Sequence, residues 1–373
     1  MLSEKEREAL FILTRIPGMY RNRIMRMYEY AGSFADALSV SESEYRAKGI
    51  FLRQKDPEVY EACRRDRAFL DDSLSRYHGL SDTGIRMIDF TESSLPARLS
   101  SIPDPPAAIF VRGALPDDNV PSASIIGSRN CSTYGSDAAL YFGRELAKAG
   151  VQIVSGMAMG IDSFGLAGAL EGGRKGFAVL GSGVDVCYPR SERSIYREMS
   201  RGSGGVISEF TPDAEPVGYH FVLRNRLISA LGDVLLVIEA AEKSGTSITV
   251  GNALEQGKDV FALPGRITDP LGRGCNKLLK DGAFPLTEPS DVLSYLGMDT
   301  SGAQKTMKEK DPACLSEEER AILGVMGPDG MHVEDIAALA KKDLGHTVHF
   351  LSSLELSGYV RSHGSAYYSK VYR

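Results

Sequence analysis

The stretch Ser124-Ile125-Ile126-Gly127-Ser128-Arg129 decides the fold of this 373-residue chain. A short apolar run that ends in a glycine-containing or polar loop is typical of a strand buried on both faces of a parallel sheet. The pattern recurs five times along the chain, at Val151–Gly156, Phe177–Gly183, Val206–Glu209, Val234–Glu239 and Val260–Gly265. The sequence therefore predicts an α/β fold, an extended Rossmann-like and mostly parallel sheet with helices on both faces.

The loops after these strands are expected to meet at one edge of the sheet. Right-handed crossovers bring them there, and doubly wound folds bind their ligands at that edge. Repeated glycine lets backbone N–H groups come close to an anion. Residues 127–129 add a serine hydroxyl and an arginine ahead of a helix that begins near Thr133, which suits phosphate. Taken alone, residues 127–129 are equally compatible with a tight strand-to-helix turn whose arginine is solvated.

Composition and charge narrow the class of protein. The chain is 43% hydrophobic and 25% charged, as soluble globular proteins are. It shows no signal-peptide pattern and no apolar run of membrane-spanning length, and its five cysteines form no Cys-x-x-Cys pair. We therefore expect a cytoplasmic protein without structural metal. The net charge of −6 opposes bulk attraction to nucleic acid, so any polyanion site must be a local pocket built from a few arginines.

Three regions and a linker can be separated along the chain. Residues 1–75 show helical spacing and contain a SAM/helix-hairpin-helix-like stretch, in which Tyr20 replaces the second glycine that would face a DNA phosphate. A helical cap is therefore the favoured interpretation of this region. Residues 86–297 carry the sheet, and residues 298–311 are polar without apolar periodicity, as linkers are. Residues 312–373 predict a winged-helix domain of three helices and a hairpin.

The predicted winged helix begins with a capping box formed by Ser316 and Glu319. Two further helices are expected over residues 333–341 and 347–356. The third helix, His346–Glu355, contains no lysine or arginine, whereas major-groove readers usually carry basic and amide residues there. The tail is therefore predicted to be a separate, partner-facing module.

Basic and aromatic residues follow several of the sheet-edge loops. Arg190 comes after the third strand, and Phe221 precedes the arginines at 224 and 226. A ring on which a base can stack, beside arginines that pair with phosphates, is the chemistry of single-strand binding. One of these two arginines could instead pair with Glu209 or Glu239 at a neighbouring strand end. The glycine pattern matches neither a dinucleotide fingerprint nor a P-loop, so no cofactor is expected.

The order of these motifs strongly resembles the DNA-processing protein A (DprA/Smf) family over about residues 86–297. The resemblance implies a protein that binds single-stranded DNA and forms a homodimer around Cys275–Phe284. It also implies that the protein loads the recombinase RecA onto DNA covered by single-strand-binding protein, during natural transformation and recombination. The family is not known as an enzyme, and no catalytic residue is predicted.

The predicted strand-binding residues all lie on sheet-edge loops or on the helices that follow them. They are Gly127, Ser128, Arg129, Gly156, Gly160, Gly181, Gly183, Arg190, Phe221, Arg224, Asn225, Arg226, Ser244, Gly245, Thr246 and Lys277. The chain departs from some relatives at Gly218, where they carry a lysine.

The alternative function is enzymatic. The same subfold is similar to that of nucleotide phosphoribohydrolases, whose catalytic glutamate belongs where this chain has Thr249 when the two are aligned on Gly245-Thr246. General acid–base cleavage of a glycosidic bond needs a carboxylate. Only a relocated one, from Glu239 or Glu242, could supply it here.

Overall fold

The computed structural model describes residues 1–51, 56–300, 315–327 and 329–371. The front of the chain is helical, as predicted. Its helices are α1 (Glu4–Arg15), α2 (Arg21–Ala31), α3 (Phe34–Ala37), α4 (Glu42–Ala47), α5 (Asp56–Arg65) and α6 (Arg67–His78). The Ser3 side chain caps α1 by accepting from the Glu6 N–H, and the periodic residues Leu10 and Leu13 are fully buried.

The centre of the chain forms a nine-stranded sheet with the strands β1 (Ile85–Asp89), β2 (Ala108–Gly113), β3 (Ser122–Ile126), β4 (Gln152–Ser155), β5 (Gly176–Val179), β6 (Gly204–Ser208), β7 (Val234–Val237), β8 (Asp259–Ala262) and β9 (Phe284–Pro285). Their order is β1-β2-β6-β5-β4-β3-β7-β8-β9. The strands from β6 to β9 in this order are parallel, whereas β1 and β2 are antiparallel additions at one edge. Strands β3 to β8 are the six apolar runs of the sequence, which confirms the predicted fold class.

Helices cover both faces of this sheet. They are α7 (Ala97–Ser100), α8 (Thr133–Lys148), α9 (Ile161–Glu171), α10 (Arg193–Glu198), α11 (Gly218–Leu231), α12 (Thr246–Glu255), α13 (Arg273–Lys280) and α14 (Pro289–Tyr295). A short 3₁₀ turn (Arg190–Glu192) precedes α10, and a π-helical turn (Met199–Ser203) follows it. Helices α8 and α9 share one apolar core with the N-terminal helices, and α11 and α12 share the core of the other face. The front helices are therefore packed into the central domain, where Phe11 meets Phe110 edge to face at 5.8 Å.

The tail has the three helices and the hairpin that were predicted. Its elements are α15 (Glu317–Val325), β10 (Met331–His332), α16 (Val333–Ala340), α17 (Leu344–Leu356), β11 (Val360–Ser362) and β12 (Tyr367–Lys370). The capping box of Ser316 and Glu319 is present. Helix α17 begins earlier than the predicted Thr347, because the Asp343 carboxylate accepts from the His346 N–H at 3.0 Å and caps the helix. From residue 301 onward, the predicted linker at 298–311 lies outside the described residues.

The tail has its own apolar core, yet it contacts the central domain. Arg361 of β11 donates to Asp137 of α8 at 2.8 Å, and the Asp137 side chain is only 5% exposed. Thr133 and His363 lie 3.3 Å apart beside this pair. The tail is thus a domain with its own core that is tied to the central domain through these contacts. Among the described helices, none is long and apolar enough to cross a membrane.

Candidate nucleic-acid interface

The loops that follow β3, β4 and β5 meet at one edge of the sheet. The Ile161 N–H donates to the Ser128 carbonyl at 3.2 Å, which joins the first loop to the start of α9. From the opposite face, the guanidinium of Arg224 on α11 donates to the Gly156 carbonyl at 2.8 Å. Of the predicted residues, the structure brings together Gly127, Ser128, Arg129, Gly156, Gly160, Gly181, Phe221 and Arg224.

Several backbone amides of these loops are already engaged within the protein. The Ser128 N–H donates to the Glu239 carbonyl at 2.8 Å, and the Gly183 N–H donates to the Ala214 carbonyl at 2.8 Å. The Gly156 N–H donates to a carboxylate oxygen 3.1 Å away. The expectation that these amides are offered to an anion is therefore corrected. At these positions glycine serves instead to let loops and side chains pack closely.

Arg224 lies beneath the loops and is 3% exposed. Its guanidinium donates to the carbonyls of Gly156 and Val179, so it ties the ends of β4 and β5 together. Burial lowers the pKa of Arg224 to about 10, which the nearby Asp162 carboxylate opposes. Burial raises the pKa of Asp162 to about 6, which Arg224 opposes in turn. The structure thus gives Arg224 a positioning role in place of the predicted contact with phosphate.

Three side chains form a group above Arg224, and we call Arg129, Tyr188 and Phe221 the edge cluster; Arg129 and Tyr188 are exposed and Phe221 is half-buried. The Arg129 guanidinium carbon lies 5.5 Å from the centroid of the Phe221 ring, within the range of a cation–π contact. The Tyr188 and Phe221 ring centroids are 5.6 Å apart, and Tyr188 is 45% exposed. Arg129 is exposed, and in the described part of the chain no carboxylate lies within ion-pair distance of it. The cluster therefore offers solvent one cation and two rings.

Glycine holds the edge cluster in place at two close approaches. A Cβ on Gly181 would lie 2.6 Å from the Phe221 ring, so the ring rests directly on this backbone. Gly160 has a φ of +82°, and a Cβ there would lie 2.4 Å from the Ser128 carbonyl oxygen and 2.5 Å from that of Arg129. No other residue type fits either position without moving the cluster.

Arg226 points away from the edge cluster. Its guanidinium makes two hydrogen bonds to the Glu209 carboxylate, at 2.7 and 2.8 Å, and one to Asp104 at 3.0 Å. This is the ion-pair alternative that the sequence left open for one of the two arginines. The geometry takes Arg226 out of the set of free phosphate partners, because both neighbouring carboxylates already neutralise it. Asn225 is half-buried beside Arg224, from which it accepts at 3.3 Å.

The remaining predicted residues divide between two other places. Arg190 is exposed two residues beyond Tyr188, and thus adjoins the edge cluster. Ser244, Gly245 and Thr246 at the start of α12, and Lys277 on α13, belong to the half of the sheet that contains β7 and β8. Among the described residues no hydrogen bond or ion pair joins them to the edge cluster. Their assignment to the strand site stays a prediction.

A cavity of about 820 Å³ occupies the edge where the strand order reverses, between β3 and β7. Its walls come from α8, the loops after β7 and β8, and the tail at Asp329. Glu239 lines it and is 3% exposed, and its two oxygens accept from the N–H and the hydroxyl of Ser132. Burial raises the pKa of the Glu239 carboxyl, and the Ser132 hydrogen bonds oppose that shift. Asp137, Asp269 and Arg266 also line the cavity, and Asp137 is already paired with Arg361 at 2.8 Å.

Tyr188 is the member of the edge cluster that the sequence-based residue set omitted. The sequence places it next to Pro189 and Arg190, but nothing in that order shows that it reaches a ring on α11. A signal for it was available in the sequence. A tyrosine, an aromatic residue that often lies at the surface, follows the glycine loop after the third strand and lies two residues before Arg190 of the predicted site. Rings in that position are candidates for base stacking.

Comparison with known proteins adds sequence and structural relatives. Residues 86–297 match the family described as DNA recombination-mediator protein A, and residues 306–365 match the one described as DprA winged helix domain. Protein Smf of Escherichia coli (strain K12) is 35% identical over 269 residues, which cover 71% of this chain and 72% of that protein. DNA processing protein DprA of Streptococcus pneumoniae (strain R6) is 35% identical over 239 residues, covering 62% of this chain and 83% of the relative.

Two solved structures resemble the fold. The X-ray structure of DNA processing protein A from Streptococcus pneumoniae aligns with a TM-score of 0.60 and 29% identity, over 79% of this chain and 98% of that one. DNA processing protein A from Helicobacter pylori aligns with a TM-score of 0.51 and 28% identity, over 57% of this chain and 95% of that one. The Helicobacter structure is described as showing a single-stranded DNA binding mode.

Proposed function

The chain belongs to the DNA recombination-mediator protein A family, and from this membership we propose that it binds single-stranded DNA at the edge cluster as a recombination mediator. The observation that carries the proposal is the edge cluster itself. Arg129 supplies a cation for a phosphate, while Phe221 and Tyr188 supply rings for bases. Stacking on aromatic rings beside a cation tolerates any base, which is what a mediator acting on arbitrary strands needs.

The family resemblance extends the proposal to partners. The protein would load the recombinase RecA onto DNA covered by single-strand-binding protein, in the cytoplasm, and would act as a homodimer. Support for the dimer comes from the edge strand β9, where Phe284 is 42% exposed and stacks on Phe261 at 5.1 Å. Tyr295 packs beside both rings and is 45% exposed. An exposed aromatic patch at an unpaired sheet edge is a surface suited to a second copy.

The proposal is a binding function without turnover. Thr249 lies buried in α12, where the enzyme alternative needs a glutamate. Glu239, one of the two candidates for a relocated carboxylate, already accepts two hydrogen bonds from Ser132. This buried carboxylate, 3% exposed, therefore already has a structural role, because it anchors the start of α8.

Arg129→Ala is expected to weaken binding to a single-stranded oligonucleotide by about 1–3 kcal/mol, the size of a charge-assisted contact. The slope of log K against log salt should fall by about 0.7, because one phosphate contact is lost. Fluorescence anisotropy across a salt series measures both quantities. Arg67→Ala on α6 is the matched control, since it removes the same charge from a front-helix arginine whose side chain is 93% exposed. Equal affinity of the Arg129 and Arg67 variants would contradict the site.

Gly181→Ala is expected to weaken the same binding by about 1–3 kcal/mol, the contribution of one stacked base. The added methyl group would push the Phe221 ring off the backbone on which it rests. Gly218→Ala at the first residue of α11 is the control, because its new methyl group would have no atom within 4 Å. Anisotropy titrations of both variants check the result. A Gly181 variant that binds as the control does would show that the ring position is unimportant.

A further inference from the structure

Four arginines lie along one face of the segment that follows Tyr188. Arg190, Arg193, Arg197 and Arg201 recur at three- and four-residue spacing through the 3₁₀ turn, α10 and the π-helical turn. All four are exposed. Ile195 and Met199 are buried and fix the opposite face against the protein. We call these four residues the arginine ridge.

The ridge differs from most other arginines of the protein in having no acidic partner. More than half of the arginines in the described ranges lie within 4.0 Å of a carboxylate, and Arg112 next to the ridge is one of them, paired with Asp185 at 2.7 Å. Within those ranges no carboxylate lies within ion-pair distance of any ridge residue. Glu192 and Glu198 lie on the same segment, so its four arginines and two glutamates give it a net charge of +2, locally positive in a chain of net charge −6.

The ridge is continuous with the edge cluster. Arg190 follows Tyr188 by two residues, and the Tyr188 ring contacts Phe221 at 5.6 Å. From Arg190 to Arg201 the helical segment extends on the order of 16 Å, at about 1.5 Å for each residue. A DNA strand that leaves the edge cluster on the Tyr188 side would therefore reach the ridge at its Arg190 end.

We propose that a bound DNA strand continues from the edge cluster over the arginine ridge, where Arg193, Arg197 and Arg201 contact successive phosphates. This inference rests on the proposed function and names the path of the strand beyond its first site. Contacts to phosphate hold a strand in place but read no base, so the ridge adds affinity without adding sequence preference. Short strands that fill only the edge cluster do not reach it.

The test compares two strand lengths on the full-length protein, oligothymidylates of about 6 and about 20 nucleotides. The variant carries Arg193→Gln together with Arg197→Gln, which leaves the edge cluster and Arg190 intact. Its control carries Arg65→Gln together with Arg67→Gln, two exposed arginines of the front helices with the same change in charge. Circular dichroism verifies that both variants are folded.

The ridge variant is expected to bind the long strand about tenfold more weakly, with a salt slope lower by about 1.4 for two lost contacts. The ridge variant should bind the short strand with wild-type affinity. The Arg65/Arg67 control variant should bind both the short and the long strand with wild-type affinity. An unchanged affinity for the long strand would overturn the path over the ridge, and so would an equal loss for both lengths. Failure of the wild-type protein to bind either strand would instead overturn the proposed function, together with this inference.

Discussion

Arg224→Met is expected to lower the free energy of unfolding by about 3–5 kcal/mol, the cost of removing one partner from a buried charged network. Methionine fills much of the same volume but cannot donate to the carbonyls of Gly156 and Val179. The Asp162 carboxylate would also lose the cation that opposes the rise of its pKa. Because Arg224 joins the ends of β4 and β5, we expect the loops of the edge cluster to loosen as well.

Denaturant unfolding followed by far-UV circular dichroism measures this loss. Arg129→Met is the matched control, since it makes the same chemical change at an exposed arginine of the same site. Its stability should stay within about 0.5 kcal/mol of the wild type, while its DNA binding falls. The two variants would then distinguish the roles of the two arginines, because Arg224 stabilises the fold and Arg129 contacts DNA. A wild-type unfolding midpoint for the Arg224 variant would contradict its positioning role.

Gly160→Ala is expected to cost about 2–6 kcal/mol of stability, as the sum of backbone strain and overpacking. Gly160 has φ and ψ of +82° and −133°, a region that side chains other than hydrogen rarely allow. Its added methyl group would also lie 2.4 Å from the Ser128 carbonyl oxygen. Since the obstacle is backbone, the loop carrying Arg129 must move, and binding to single-stranded DNA should fall with stability.

Gly251→Ala provides the control for this substitution. It lies inside α12 with no atom within 4 Å of the new methyl group, so the change should stabilise the protein by roughly 0.5–1 kcal/mol. The two alanine variants thus have expected effects of opposite sign. Denaturant midpoints measured side by side check the signs, and a Gly160 variant as stable as the Gly251 variant would show that the loop yields freely.

The parallel sheet could be predicted because its strands are buried on both faces. Each of β3 to β8 is a near-continuous apolar run, and a glycine loop or polar residue marks where it ends. The same signal failed for β1, where the exposed Arg86 interrupts the run and the strand pairs antiparallel at the edge. Runs of apolar residues also carry no record of strand order. The separation of Lys277 and Ser244 from the edge cluster therefore became visible only with the fold.

The roles of the two arginines of α11 could not be assigned from sequence. Arg224 and Arg226 are two positions apart, so they face different sides of the helix. Which side faces the loops depends on how α11 packs on β3, β4 and β5. The acidic partner Asp104 is also distant in sequence and comes close only through the fold. The local sequence pattern identified both residues as candidates for contact with phosphate. Tertiary packing instead gives each of them partners within the protein.

The separate apolar core of the tail has a consequence for how the protein melts. The front helices share one core with the sheet, so these two regions are expected to unfold together, whereas the tail core can be lost by itself. Heating should therefore give more than one cooperative transition. A single Tm fitted to the whole curve would then be the melting temperature of neither region. The tail transition should be small, on the order of 40 kcal/mol at about 0.7 kcal/mol for each residue. As the chain has no tryptophan, one introduced into either core would report on that core alone.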